Sequence, residues 1–93
     1  MALLSDDEVR ERLARSSWRR EGDEIVRDFK FEDFAGAIAF VDRVAEAAEE
    51  LDHHPDILVH GWNKVRVTLS THSEGGITQN DLDLSGRIDA IAT

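Results

Sequence analysis

The sequence contains no cysteine, which excludes disulfides, thiolate zinc sites and a cysteine nucleophile. A single proline and six glycines are too few for a low-complexity chain. Cations are also scarce, 11 Lys plus Arg against 20 Asp plus Glu, for a formal charge of −9. Binding to nucleic acid depends on neutralising phosphates with basic side chains, so no nucleic-acid partner is expected. No stretch approaches the roughly 20 apolar residues that span a bilayer. The opening run from Met1 to Glu8 has neither the basic region nor the long apolar stretch of a signal peptide. No membrane partner is expected, and a cytoplasmic location follows by default. The chain shows no G-x-S-x-G or HExxH motif and no internal repeat.

What remains is a chain of 93 residues with 41% apolar content, enough for one domain over residues 1–93 with its own core. A domain of this size buries only about two-thirds of its unfolded surface, so packing against a partner chain would help it. Ser5 followed by Asp6, Asp7 and Glu8 predicts an N-cap and a short helix to about Arg15, with Val9 and Leu13 on one side. Gly22-Asp23 is a turn signal inside Trp18–Phe31, and Ile25, Phe29 and Phe31, with Arg27 in the run, predict two antiparallel strands. The longest helix is placed at about 33–51, with Phe34, Ile38, Val41, Val44, Ala45 and Ala48 as its apolar stripe. Pro55 ends it and makes His53-His54-Pro55 the exit loop.

Residues 56–71 read as a hairpin turning at Asn63-Lys64. A two-residue turn there would put Ile57 and Val59 on the opposite face from Val65, Val67 and Leu69. A β-bulge at His60-Gly61 restores agreement, placing Ile57, Val59, Trp62, Val65, Val67 and Leu69 together and leaving His60 outside the active site. After a loop with Gly75-Gly76, Thr78 and Asp81 nearly form a capping box, and Leu84, Ile88 and Ile91 carry the last helix. The fold class is therefore α+β: a four-stranded antiparallel sheet with helices packed on one face, in the order α-β-β-α-β-β-α.

Three of the four histidines, His53, His54 and His72, fall in loops or at element ends. Histidine titrates near neutrality, so a cluster of them suits proton transfer in both directions. Glu49, four residues before His53, can orient an imidazole from the last helical turn, and Asp81 can do so from the next helix. Each has a plainer reading. A His-His pair beside Pro makes a polar loop, Glu49 makes a solvated acid, Asp81 makes a helix cap, and Trp18 and Trp62 make core or interface anchors. His60, in mid-strand, reads as a surface or structural residue. A zinc site of His53, His54, His72 and Asp81 is a further alternative, but adjacent histidines rarely face one ion, so no metal is expected.

The spaced set Glu49, His53-His54-Pro55, Trp62, His72 and Asp81 resembles the signature of the pterin-4a-carbinolamine dehydratases. Leu51-Asp52-His53-His54-Pro55-Asp56, Trp62-Asn63-Lys64-Val65, Leu69-Ser70-Thr71-His72 and Phe29-Lys30-Phe31 are similar to that family too, as is Trp18. The resemblance covers roughly residues 16–92. It implies a homodimer or homotetramer with no cofactor. It also implies loss of water from 4a-hydroxytetrahydropterin to give quinonoid dihydropterin, as in the recycling of tetrahydrobiopterin. By position it makes His53 and His72 the acid and base pair, with His54 assisting. Glu49, Pro55, Thr71, Ser73, Glu74 and Asp81 would line the pterin, with Trp62 or Trp18 adding aromatic surroundings. Members of the family also act as dimerisation partners of other proteins, so a non-catalytic interaction protein is the rival reading.

Overall fold

A computed structural model describes residues 2–93; Met1, part of the expected domain, lies outside the described residues. The first helix, α1 (Asp6–Leu13), starts at a full capping box in which Ser5 and Glu8 exchange bonds. It ends two residues before the expected Arg15. The strand β1 (Arg19–Glu21) turns at Gly22-Asp23 into β2 (Glu24–Lys30), with Gly22 at φ 61°. Next come α2 (Phe34–Leu51), β3 (Asp56–His60), β4 (Lys64–Leu69), a 3₁₀ turn at His72–Glu74 and α3 (Gln79–Ala92). All neighbouring strands are antiparallel, and their order is β1-β2-β4-β3. The expected class and element order are those observed.

Strand alternation decides which face the helices cover. Ile25, Phe29, Val65, Val67 and Leu69 point to one side and share a core with Val9 of α1, Ala37, Phe40 and Val44 of α2, and Leu84 and Ile88 of α3. The other side carries Asp28, Lys30, Lys64 and Arg66, all exposed. Arg27 faces inward with Ile25 and Phe29. Its guanidinium lies 4.4 Å from the Phe29 ring centroid and pairs with Asp89.

Two expectations need correction. The buried stripe of α2 is Ala37, Phe40, Val44, Ala47 and Ala48, whereas Phe34 and Ala45 are exposed and Ile38 and Val41 only partly buried. The helix is apolar on two adjacent sides, and the pattern alone favoured the bulkier one.

The second correction concerns the β3–β4 hairpin. Its ladder is regular from Asp56↔Thr68 to His60↔Lys64, so His60-Gly61 forms no bulge. A three-residue loop, Gly61-Trp62-Asn63, makes the parity change instead. Asn63 is unavailable for a two-residue turn because β2 holds it: Phe31 N–H donates to its carbonyl at 2.9 Å, and its amide donates to the Phe31 carbonyl at 2.9 Å. Ile57 and Val59 do join the face of Val65, Val67 and Leu69. Trp62 does not; it sits at the loop tip, 60% exposed and at φ 58°.

Candidate functional site

The end of α2 sets the position of the histidine pair. Asp52 adopts the left-handed conformation at φ 50°. Its N–H bonds the Glu49 carbonyl at 3.2 Å, and that of His53 bonds the Ala48 carbonyl at 3.0 Å. This pair of bonds closes the helix as a Schellman turn, and Pro55 then prevents any continuation. His53 therefore points back toward the start of α3, while His54 stays beside the last turn of α2.

At the start of α3, Asp81 serves two purposes. It completes the capping box, its Oδ2 accepting the Thr78 N–H at 2.9 Å. The same Oδ2 accepts the Thr71 hydroxyl at 2.9 Å, and Thr71 and Thr78 share a hydroxyl–hydroxyl bond of 2.7 Å. Oδ1 meets His53 Nε2 at 2.5 Å. Asp81 is 0% exposed, and the His53 side chain 11%.

The proton inventory of this chain has one consistent direction. Each hydroxyl has one proton, so with Thr71 donating to Asp81, Thr78 donates to Thr71. Asp81 acts as acceptor throughout, and His53 presents Nε2–H to it. The Nδ1 atom of His53 is left to take or give a proton. His72 follows Thr71 directly and opens the exposed 3₁₀ turn, with Ser73 and Glu74 beside it. Asp81 and Thr71 thus tie the segment bearing His72 to His53.

The remaining site candidates divide. His54 Nε2 meets Glu49 Oε2 at 2.5 Å in an exposed pair, so Glu49 orients His54 rather than His53. Pro55 is half-buried in the exit loop. Trp62 is not gathered with His53, His54 and His72. From Asp56 the four steps of β3 carry the backbone about 13 Å away before the loop begins. Trp18 is buried against Phe29, with its indole N–H on Asp89 Oδ1 at 2.8 Å. It lines a cleft of about 710 Å³ between α1 and β1, formed also by Val9, Leu13 and three arginines, that contains no histidine. Among the described residues no three His, Asp or Glu side chains converge as metal ligands. The Thr71–Thr78 pair is the feature that sequence reasoning missed, because Thr71 reaches Asp81 only through the bridge that pairs it with Gly76.

Comparisons with known proteins agree over nearly the whole chain. The family model described as pterin 4 alpha carbinolamine dehydratase matches residues 2–91. A Nocardia farcinica protein carrying the pterin-4-alpha-carbinolamine dehydratase name is 53% identical over 91 residues, covering 97% of this chain and 95% of the relative. A Roseiflexus castenholzii protein of that name is 50% identical, covering 97% of each. Among solved structures, a transcriptional coactivator/pterin dehydratase from Brucella melitensis superposes with TM-score 0.92 at 40% identity, over 99% of this chain and 100% of that one. A pterin dehydratase-like RuBisCO assembly factor of the alpha-carboxysome reaches TM-score 0.69 at 28% identity, over 84% of this chain and 92% of that one.

Proposed function

Because the chain belongs to the pterin-4a-carbinolamine dehydratase family, we propose that it removes water from a 4a-hydroxytetrahydropterin by histidine acid–base catalysis. Hydroxide is a poor leaving group. One imidazolium donates a proton to the departing 4a-oxygen, and the C–O bond breaks to release water. A neutral imidazole takes a proton from a ring nitrogen, leaving the quinonoid dihydropterin. No electrons are exchanged with a partner, so the reaction needs no redox group. His53 and His72 are the acid and base pair, with His54, oriented by Glu49, assisting at the hydroxyl. Pro55, Ser73 and Glu74 flank the pterin. Thr71 and Asp81 act through His53, their polar atoms being engaged with each other.

The observation that carries this reading is the buried Asp81 that fixes one tautomer of His53. Such a built-in orientation is not needed by a solvated loop histidine. Replacing His53 or His72 by Ala should lower turnover of chemically generated carbinolamine by about 10²–10⁴-fold, the usual span for general acid–base groups. Wild-type turnover in both variants, with the fold intact, would refute the assignment. Treatment with a chelator should leave the rate unchanged.

A second reading, an interaction protein on the same fold, is favoured by the two structural relatives, one a transcriptional coactivator/pterin dehydratase and the other a RuBisCO assembly factor. Absence of turnover in a folded wild-type chain would decide for it.

A further inference from the structure

The outer face of the sheet carries a feature that the histidine site does not use. Lys30, Lys64 and His60 lie directly opposite one another on β2, β4 and β3. Like charges in facing positions destabilise a sheet, so such a row ordinarily comes with interleaved acids. Here the nearest acid on that face, Asp28, is already engaged by Arg66 at 2.8 Å and Arg19 at 3.0 Å. Among the described residues none of Lys30, Lys64 and His60 belongs to an ion pair. The row borders a cleft of about 250 Å³ lined by Asp28, Phe29, Lys30, His60, Lys64 and Arg66. The stem of Lys64 packs along Gly61, whose missing Cβ would stand 3.5 Å from it. In a chain of formal charge −9, three neighbouring unpaired basic side chains are a local exception.

We propose that this row is a binding site for a linear oligophosphate. Strands stand about 4.8 Å apart, so three in-register donors span more than one phosphate group and match a short chain of them. Lysine ammonium groups and a ring N–H make charge-assisted bonds to phosphate oxygens without requiring planar geometry. The ligand is either a free oligophosphate or the tail of a nucleotide. In the second case its base has an aromatic partner within reach, because Trp62 is exposed at the tip of the loop joining His60 to Lys64. The row lies at the end of the hairpin opposite to the His53 loop, so binding there is separate from dehydration.

The test is an amide and side-chain NMR titration of the full chain with sodium tripolyphosphate, and separately with ATP, against sodium chloride of matched ionic strength. Saturable shifts centred on Lys30, His60 and Lys64 are expected with tripolyphosphate. The K30Q/K64Q double variant should bind about tenfold more weakly or worse, having lost two bonds to charged groups. K30R/K64R should retain binding. R87Q, a charge removal on α3, should leave it unchanged. Tighter binding of ATP with shifts at Trp62 assigns the nucleotide, and equal or weaker binding assigns the free oligophosphate. Shifts that merely follow ionic strength, or weakening by R87Q equal to that of the double variant, would overturn the proposal.

Discussion

Asp81 shows how one side chain links folding to chemistry. Its capping role was legible in the sequence from the Thr78–Asp81 spacing. Its bond to His53 spans 28 positions; the residues suggested that Asp81 could orient an imidazole, but spacing alone did not say which one. An Asp81→Asn change keeps the shape but replaces an acceptor with an amide donor facing His53 Nε2. Nε2 must then accept, which moves the proton of the neutral ring to Nδ1, the atom otherwise left to take or give a proton. We expect turnover to fall by about 10²–10⁴-fold, and stability by about 1 kcal/mol from the weakened cap. Nitrogen-15 NMR of the His53 ring should show the tautomer exchanged; an unchanged tautomer with full activity would remove Asp81 from the mechanism. Gly76 is a second single-residue test. A Cβ there would stand 2.9 Å from Leu3 Cδ2, the free end of an exposed side chain, so Gly76→Ala should be absorbed by a turn of the Leu3 side chain and leave amide exchange unchanged at Leu4, whose N–H bonds the Ile77 carbonyl; faster exchange there would show that the bridge between Leu3 and Thr78 had been displaced.

At the scale of elements, polar–apolar alternation and capping signals were enough for order and class, while choices between near-equal alternatives were not. Helix α2 has apolar residues on two sides, and only the sheet beneath it decides which is buried. The hairpin faces were legible because one face must be apolar, yet the loop length was not, since it depends on Asn63 binding Phe31 across the sheet. That loop holds Trp62 in the left-handed region, which costs a non-glycine residue about 1 kcal/mol or more. Trp62→Asn, which tolerates that conformation, should raise the urea midpoint by an amount equivalent to about 1 kcal/mol; a lower midpoint would show that the indole packs against something. On the outer face, the Arg66 hydrogen bond holds the Asp28 carboxyl below its usual range, with desolvation opposing and Arg19 adding to the effect. A depressed folded-state value means that the contribution is present near neutrality and lost as pH falls below about 4. The urea-midpoint difference between wild type and Asp28→Asn should therefore shrink steadily through that window, and a difference that is constant with pH would contradict it.

For the molecule as a whole, the leftover side of α2 and the small core meet in one question. A 93-residue chain buries a modest share of its surface alone. Phe34, 55% exposed, begins an outward stripe that continues through Ile38 to Ala45. Leu58, 54% exposed, adds apolar surface on the far side of the sheet. A helix apolar on two sides leaves one of them available to a partner, and the simplest partner would be a second copy placed about a two-fold axis. The formal charge of −9 per chain opposes that association, and salt screens it within about 10 Å at moderate ionic strength. Sedimentation at micromolar concentration should accordingly show at least a dimer, strengthened rather than dissolved by added salt. Phe34→Asp is the discriminating variant. Phe34 is the first residue of α2, behind the Asp33 cap, where an added carboxylate favours the helix dipole. The change should therefore preserve helical circular dichroism while shifting the protein to monomer. A wild-type monomer, or a dimer untouched by Phe34→Asp, would place the apolar stripe outside any self-association.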